Sequence, residues 1–171
     1  VDLDNLKIVN DTFGHRAGDG LLQTASARIA AAVSPDVTFR LGGDEFAVVI
    51  RRPEALADLD ETAHRILEAL RAPADCDGNA IVPSGTIGGA VVSTGDESAE
   101  AVYKNADFAL YHAKETGRGG FVRFWPGIDT RIVNRQATIK DVSAALGEGR
   151  IDAHYQPVMR LDTREIVGVE A

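Results

Sequence analysis

Apolar side chains recur every three or four residues in several segments, the spacing that predicts amphipathic helices. One helix is predicted from Asp19, with an apolar face ending at Val33, and two more have apolar faces spanning residues 56–70 and 102–113. A shorter helix is predicted after Asp4, whose carboxylate is a candidate N-cap. Glycine and proline separate these segments from the rest of the chain.

Runs rich in β-branched and aromatic residues predict strands. Residues 37–41 and 46–50 are two such runs on either side of Gly42-Gly43-Asp44-Glu45, so they predict a β-hairpin with two carboxylates at its tip. Further strands are predicted at 1–4, 84–93 and 121–125. The order strand–helix–helix–hairpin–helix–strand–helix–strand predicts an α+β fold in which helices cover one sheet.

Pro126-Gly127 marks a predicted boundary between a first domain, residues 1–125, and a linker helix, residues 126–149. Two strand-like runs, 151–158 and 165–169, are joined by a turn at Asp162-Thr163 and are interpreted as the opening of a second domain, residues 150–171. Because both ends of the chain fall within strand-like patterns, we expect it to be an excised fragment.

Composition and charge narrow the class of protein. The 171 residues are 44% hydrophobic and 26% charged, which is ordinary for a globular domain. A net charge of -8 argues against a broad binding surface for nucleic acid or an anionic membrane. Cys76 is the single cysteine, and no signal peptide or membrane-spanning run is visible, so a cytoplasmic location is expected.

Four carboxylates become neighbours if the first strand pairs beside the hairpin: Asp2, Asp4, Asp44 and Glu45. Two charges about 4 Å apart repel by roughly 4 kcal/mol at an effective dielectric of about 20, so such a cluster must protonate or hold a cation. Oxygen ligands suit Mg²⁺ bound to substrate phosphates. The alternative, a solvated turn beside a strand end and a helix cap, stays open on spacing alone. P-loop and HExxH motifs are absent.

Residues 1–125 contain several separated motifs: Asp2-Leu3-Asp4, Lys7, Asn10-Asp11-Thr12-Phe13-Gly14-His15, Gly18-Asp19, Leu41-Gly42-Gly43-Asp44-Glu45-Phe46, Ala109-Leu110-Tyr111, Ala113-Lys114 and Gly117-Arg118. Together they resemble the motifs of the GGDEF family, the diguanylate cyclases that join two GTP molecules into cyclic di-GMP. The resemblance implies a sheet like the palm of nucleotidyl cyclases and polymerases, flanked by helices.

The resemblance implies a metal site. Asp2 and Asp44 would ligate Mg²⁺, or Mn²⁺ in its place, together with the backbone carbonyl of Leu3. Glu45 would assist the metal or accept the proton of the attacking 3′-hydroxyl.

It also implies a nucleotide site. Asn10 and Asp19 would bind guanine, and Gly42 with Gly43 would let the backbone pass close to the nucleotide. The phosphates would be neutralised by Lys7, Lys114 and Arg118. Without the family, the last two cations are interpreted as favourable charges at a helix C-terminus.

One position departs from the family pattern. Many members carry an Arg-x-x-Asp site for inhibition by the product just before the hairpin. Asp36 stands at the aspartate position, but Val33 stands at the arginine position. An aliphatic side chain cannot make the bidentate contact of a guanidinium, so we expect weak or absent product inhibition there.

Two short motifs stand at the end of the chain, Tyr155-Gln156-Pro157-Val158 and Gly168-Val169-Glu170-Ala171. They resemble the start of an EAL domain, the TIM-barrel-like family of cyclic di-GMP phosphodiesterases. The resemblance implies that Glu170 is a metal ligand and that Gln156 contacts nucleotide. The chain is therefore interpreted as a fragment of a tandem GGDEF–EAL protein.

Together these features predict a diguanylate cyclase that acts as a homodimer, with GTP and cyclic di-GMP as ligands. A GTP-binding domain that only regulates an attached phosphodiesterase is one alternative, and a metal-dependent nucleotide hydrolase is another. We expect the fragment itself to have little or no cyclase activity and no phosphodiesterase activity.

Overall fold

The computed structural model describes residues 1–51, 58–92, 98–128, 142, 144–149 and 154–170. The chain divides into two compact units, Val1–Thr130 and Arg131–Ala171. The first unit contains every helix and strand named in the next paragraph except the last two strands.

The described helices are α1 (Leu6–Phe13), α2 (His15–Val33), α3 (Leu59–Leu70) and α4 (Ala99–Thr116). The described strands are β1 (Asp2–Leu3), β2 (Val37–Gly42), β3 (Glu45–Val49), β4 (Ala74–Cys76), β5 (Asn79–Ile81), β6 (Gly85–Gly89), β7 (Phe121–Arg123), β8 (Gln156–Met159) and β9 (Ile166–Glu170). Five of them form a mixed sheet in the order β2-β3-β1-β6-β7, in which only the described β6–β7 pair is parallel. The predicted α+β fold and the β2–β3 hairpin are confirmed.

Helices α2 and α3 pack together through the apolar faces that their periodicity predicted. Ile29 of α2 and Leu70 of α3 are fully buried, and burying a side chain of this size contributes about 1.5–3 kcal/mol. Arg28 then ties the two helices by donating to the backbone carbonyls of Leu70, Ala72 and Pro73. A guanidinium at this position satisfies carbonyls that the end of α3 leaves without intrahelical partners.

The glycine-rich strand β6 is the surface on which α4 lies. A Cβ added to Gly88 would stand 2.2 Å from the backbone nitrogen of Leu110, so only glycine lets the helix approach this closely. Ser98 begins α4 as its N-cap, because its side chain accepts a hydrogen bond from the Ala101 N–H at 3.1 Å. The close contact places the C-terminal end of α4 beside the middle of the sheet.

The structure corrects the predicted start of the first helices. Asp4 is not the N-cap of α1: the cap position is Asn5, and the Asp4 carboxylate is buried against Ser84 and Thr86. Helix α2 begins at His15, four residues before the predicted start at Asp19. Gly14 separates the two helices with φ +87°, a conformation that favours glycine.

Three other predictions differ from the structure. The turn predicted around Asp77-Gly78 joins two unpredicted strands, β4 and β5, which pair as a small hairpin. Strand β6 covers only part of the predicted 84–93 run and β7 ends at Arg123. Ser93 and Leu56 lie outside the described residues.

Burial of Cys76 inside the β4–β5 hairpin raises the pKa of its thiol.

In the second unit, β8 and β9 form an antiparallel pair in which Gln156 lies opposite Glu170. All described residues of this pair are exposed. Most of the predicted linker helix lies outside the described residues, although 144–147 are helical. The predicted domain boundaries stay predictions. No helix among the described residues has the length and apolar character needed to cross a membrane.

Candidate functional site

The short strand β1 lies between β3 and β6, and this places acidic residues side by side. Asp2 is the cross-strand partner of Glu45. The Leu3 N–H donates to the Asp44 carbonyl at 3.0 Å, and the Phe46 N–H donates to the Val1 carbonyl at 2.8 Å. Because directly opposed residues of an antiparallel pair project to the same face, Asp2 and Glu45 share one side of the sheet.

An open cleft lies over this junction between the hairpin turn, the start of α1 and the end of α4. Seven of the residues singled out from the sequence line it, and they bring carboxylates and cations to the same cleft. The lining residues are Asp2, Leu3, Asn5, Leu6, Lys7, Ile8, Asp44, Glu45, Lys114 and Arg118. The cleft therefore has the mixed charge that a metal-bound polyphosphate requires.

Lys114 reaches from the last turn of α4 to the Asp2 carboxylate, with 2.6 Å between Nζ and Oδ2. The Asp2 side chain is only 7% exposed, whereas that of Lys114 is 29% exposed. A carboxylate taken out of water needs such a partner to stay charged. The pair thus places a carboxylate with a cationic partner at the floor of the cleft.

Asp4 follows on the same stretch but does not line the cleft. Its two carboxylate oxygens accept hydrogen bonds from Ser84 Oγ and Thr86 Oγ1, each at 2.9 Å. Arg118 NH1 stands 3.8 Å from Asp4 Oδ1. Ser84 and Thr86 were missed by the sequence analysis, since nothing local signals that hydroxyls some 80 residues away turn towards Asp4.

The residues predicted to select guanine lie on α1 and α2 rather than in this cleft. Asn10 is half-buried on α1, and Asp19 is exposed on α2. Gly18 makes room for Asn10, because an added Cβ there would stand 1.9 Å from Asn10 Oδ1. The Asn10 side chain is therefore held against the start of α2, one residue from Asp19.

The turn of the hairpin is held by a residue that the sequence analysis did not single out. Arg40 Nε and NH2 donate to the Gly43 carbonyl at 3.1 and 2.7 Å. Gly43 has φ +52°, which favours glycine, and Gly42 ends β2. The only sequence signal for Arg40 is its position three residues before the turn glycine that it contacts.

The donor set around Asp2 fits a hard divalent cation. No three His, Cys, Asp or Glu side chains of the described residues converge as a complete metal cluster. Asp2, Asp44 and Glu45 nevertheless line one cleft and offer only oxygen atoms. Mg²⁺ commonly takes one or two carboxylates and completes its shell with water and substrate phosphates, so these residues suit it without a full protein cage.

Comparison with protein families identifies a matching domain. The family described as the diguanylate cyclase GGDEF domain matches residues 1–120. The matched segment contains β1, the hairpin and α4, and so includes every lining residue of the cleft.

Two curated proteins of Pseudomonas aeruginosa align with the whole chain. MucR, named a bifunctional diguanylate cyclase/cyclic di-GMP phosphodiesterase, is 34% identical over 172 residues, which cover 100% of this chain and 25% of MucR. NbdA, named a cyclic di-GMP phosphodiesterase, is 33% identical over 178 residues, which cover 100% of this chain and 22% of NbdA. The chain thus spans a quarter or less of the length of these two relatives.

A solved structure shares the fold. The isolated GGDEF domain of TpbB (YfiN) from Pseudomonas aeruginosa superposes with a TM-score of 0.72 at 35% sequence identity, and the match covers 78% of each chain.

Proposed function

The chain belongs to the GGDEF family of diguanylate cyclase domains, and from that premise we propose that it binds GTP in the cleft and contributes half of a site that makes cyclic di-GMP. The observation that carries the proposal is the pairing of β1 with β3, which sets Asp2 opposite Glu45 and beside Asp44. Lys114 and Arg118 face the same cleft.

Asp2, Asp44 and the Leu3 carbonyl are proposed to hold Mg²⁺ or Mn²⁺, with Glu45 close by. A bound divalent cation would stabilise the charge that develops on the phosphates. Asp2 is suited to this because it is already a buried, charge-paired carboxylate at the floor of the cleft.

Lys7, Lys114 and Arg118 are proposed to bind the phosphates. They line the cleft from α1 and from the end of α4, which gives an acidic protein a local group of cations. Asn10 and Asp19 are proposed to bind guanine, and the contact of Asn10 with Gly18 supports a fixed orientation for that amide. Gly42 and Gly43 let the nucleotide approach the hairpin backbone.

One such cleft serves one GTP, so two domains must face each other as a homodimer. The 3′-oxygen of each GTP attacks the α-phosphorus of the other, a new P–O bond forms, and pyrophosphate leaves. Glu45 is proposed to accept the proton of the attacking hydroxyl. Two such steps convert two GTP into one cyclic di-GMP and two pyrophosphates.

The test is a turnover assay on the full-length protein with GTP and Mg²⁺, in which cyclic di-GMP and pyrophosphate are both quantified. Both products are expected in a ratio of one to two, and Glu45→Gln is expected to keep GTP binding while it lowers turnover. Pyrophosphate without the cyclic dinucleotide would instead indicate a nucleotide hydrolase.

The second candidate function is a GTP-binding regulator of an attached phosphodiesterase. It is favoured by the whole-chain alignment with NbdA, whose name mentions phosphodiesterase activity alone. GTP binding with no cyclic di-GMP formed, together with a phosphodiesterase rate that GTP changes, would select this function over the cyclase.

The second unit is proposed to be the start of an EAL phosphodiesterase domain in a tandem protein. The support is the alignment of MucR over the whole chain and the opposition of Gln156 to Glu170 across β8–β9. Opposed side chains share one face, as a nucleotide contact and a metal ligand of one site require. Hydrolysis of cyclic di-GMP by the full-length protein, lost in Glu170→Ala, tests this.

A further inference from the structure

We propose that Asp4 is a positioning residue that holds Arg118 and the loop after α4 at the phosphate end of the cleft, without itself touching the nucleotide. The inference rests on the proposed GTP-binding function and assigns different roles to the two aspartates at the start of the chain. Asp2 lines the cleft in which the ligand binds. Asp4 positions Arg118, the cation that contacts the ligand.

The first observation is where the Asp4 carboxylate goes. Leu3 and Asn5 on either side line the cleft, but Asp4 does not. Its side chain is 2% exposed, and both of its oxygens already accept a hydroxyl hydrogen bond. The Asp4 carboxylate is therefore turned away from a metal ion or phosphate in the cleft and towards these two hydroxyls.

The second observation is that the contacts of Asp4 continue into the loop that follows α4. Thr86 Oγ1 donates to Asp4 Oδ1 and accepts a hydrogen bond from the Gly119 N–H at 3.0 Å. A hydroxyl has one hydrogen to donate and lone pairs to accept, so Thr86 makes both bonds at once. Asp4 thus fixes the rotamer of Thr86, and Thr86 fixes the backbone next to Arg118.

The third observation is the direct charge contact. Arg118 NH1 lies 3.8 Å from Asp4 Oδ1. This distance is too long for a hydrogen bond but short enough for electrostatic attraction between the guanidinium and the buried carboxylate. The Arg118 side chain is still 59% exposed and lines the cleft. Asp4 thus attracts the guanidinium from its buried side, while the exposed part of the side chain can still contact a phosphate in the cleft.

The contact resembles the one between Lys114 and Asp2, four residues earlier at the end of α4. Two buried carboxylates thus anchor two cations side by side. The difference is that Asp2 also lines the cleft. Removing the charge of Asp4 is therefore expected to weaken contacts with the phosphates and to leave contacts with guanine unchanged.

The test measures the equilibrium affinity of the full-length protein for GTP and for guanosine, in the presence of Mg²⁺. Asp4→Asn keeps the shape of the side chain and removes its charge. We expect GTP affinity to fall by about tenfold and guanosine affinity to stay within about twofold of the starting protein. The ratio of the two affinities is a readout that a general loosening of the fold would not move.

A double-mutant cycle identifies Arg118 as the group through which Asp4 acts. Once Arg118→Ala is present, Asp4→Asn is expected to have little further effect on GTP affinity. Additive losses in the cycle, or equal losses for GTP and guanosine, would overturn the inference. GTP binding by the starting protein separates these results from failure of the proposed function, in which no GTP would bind at all.

Thr86 supplies a second set of variants in case Asp4→Asn unfolds the protein. Thr86→Val removes the bridge to Gly119 and should lower the GTP-to-guanosine affinity ratio, whereas Thr86→Ser keeps the hydroxyl and should preserve it. Thr62→Val is the matched control, because Thr62 is equally buried but lies on α3 away from the cleft lining. An unchanged ratio in Thr86→Val would also overturn the inference.

Discussion

The hairpins β2–β3 and β8–β9 have similar strand pairing but differ in how far their side chains are buried. Both are antiparallel, both have a shift in register, and both carry acidic residues that resemble a family signature. In β2–β3 the side chain of Phe46 is 2% exposed and belongs to the hydrophobic core, and β1 pairs with β3 in the sheet. In β8–β9 every described residue is exposed, and Val169 is 65% exposed.

The difference shows that the acidic residues of a hairpin form a candidate site only when a neighbouring strand and helix bring further charged side chains beside them. Glu45 lies opposite Asp2 because β1 pairs with β3, and Lys114 then supplies a cation from α4. Glu170 lies opposite Gln156, but its sheet has two strands among the described residues. Two strands alone are marginally stable in water. Among the described residues, Gln156 and Glu170 therefore share one face of an exposed two-stranded pair.

The largest expected effect is on cyclase turnover. It is tested by substituting one aspartate in the turn of each hairpin. Asp44→Ala removes a proposed metal ligand at the tip of β2–β3 and should lower cyclase turnover of the full-length protein by about 1,000-fold, since several kcal/mol of charge stabilisation are lost. Asp162→Ala, in the turn of β8–β9, should leave cyclase turnover unchanged. Cyclic di-GMP formation measured at saturating GTP checks both. Similar rates for Asp44→Ala and the starting protein would refute the site.

A second comparison concerns stability. Phe46→Ala empties a fully buried position in β3 and should lower the free energy of unfolding by about 3–5 kcal/mol. Val169→Ala in β9 removes an exposed side chain and should change it by less than about 0.5 kcal/mol. Denaturant unfolding of the 171-residue chain followed by far-UV circular dichroism gives both values. Equal destabilisation would mean that the two hairpins do not differ in burial.

The sequence predicted local structure well and longer-range contacts poorly. Runs rich in β-branched and aromatic residues on either side of the turn glycines predicted β2–β3, because such a hairpin is specified by neighbouring residues. The strands β4 and β5 were missed, since runs of three residues carry little pattern. The early start of α2 was missed because Gly18 is a poor helix former, and its place in the helix depends on Asn10, whose side chain fills the space beside it.

The same limit applies to the candidate site. The convergence of Asp2 with Glu45 was predicted on the condition that β1 pairs beside the hairpin, and that pairing is observed. The role of Asp4 was predicted wrongly, because a helix cap needs only the next few residues whereas its actual partners, Ser84 and Thr86, lie on the other side of β1 in the sheet. Composition and periodicity carry no information about such contacts.

A third prediction tests the start of α2 as a support for guanine selection. An added Cβ at Gly18 would overlap Asn10 Oδ1, so Gly18→Ala must move the Asn10 side chain. GTP affinity is expected to fall by about tenfold, since one hydrogen-bonded contact to the base is lost. Gly147→Ala is the matched control because nothing lies within 4 Å of its added Cβ. Titration with GTP measures the affinity, and an unchanged value in Gly18→Ala would contradict the proposed base contact.

The smallest expected effect concerns inhibition by the product just before β2. Val33 is fully buried in the core of the first unit, so it presents no side chain to a nucleotide, and the Asp36 carboxylate accepts a hydrogen bond from the Arg51 N–H at 3.1 Å. Low-micromolar cyclic di-GMP should therefore change cyclase turnover by less than about twofold, because the bidentate cation is missing. Initial rates with and without added product check this, and Asp36→Ala should behave as the starting protein does. A marked loss of turnover that Asp36→Ala abolishes would show that the aspartate alone sustains the inhibitory site, and that the segment leading into β2–β3 binds product as well as shaping the hairpin.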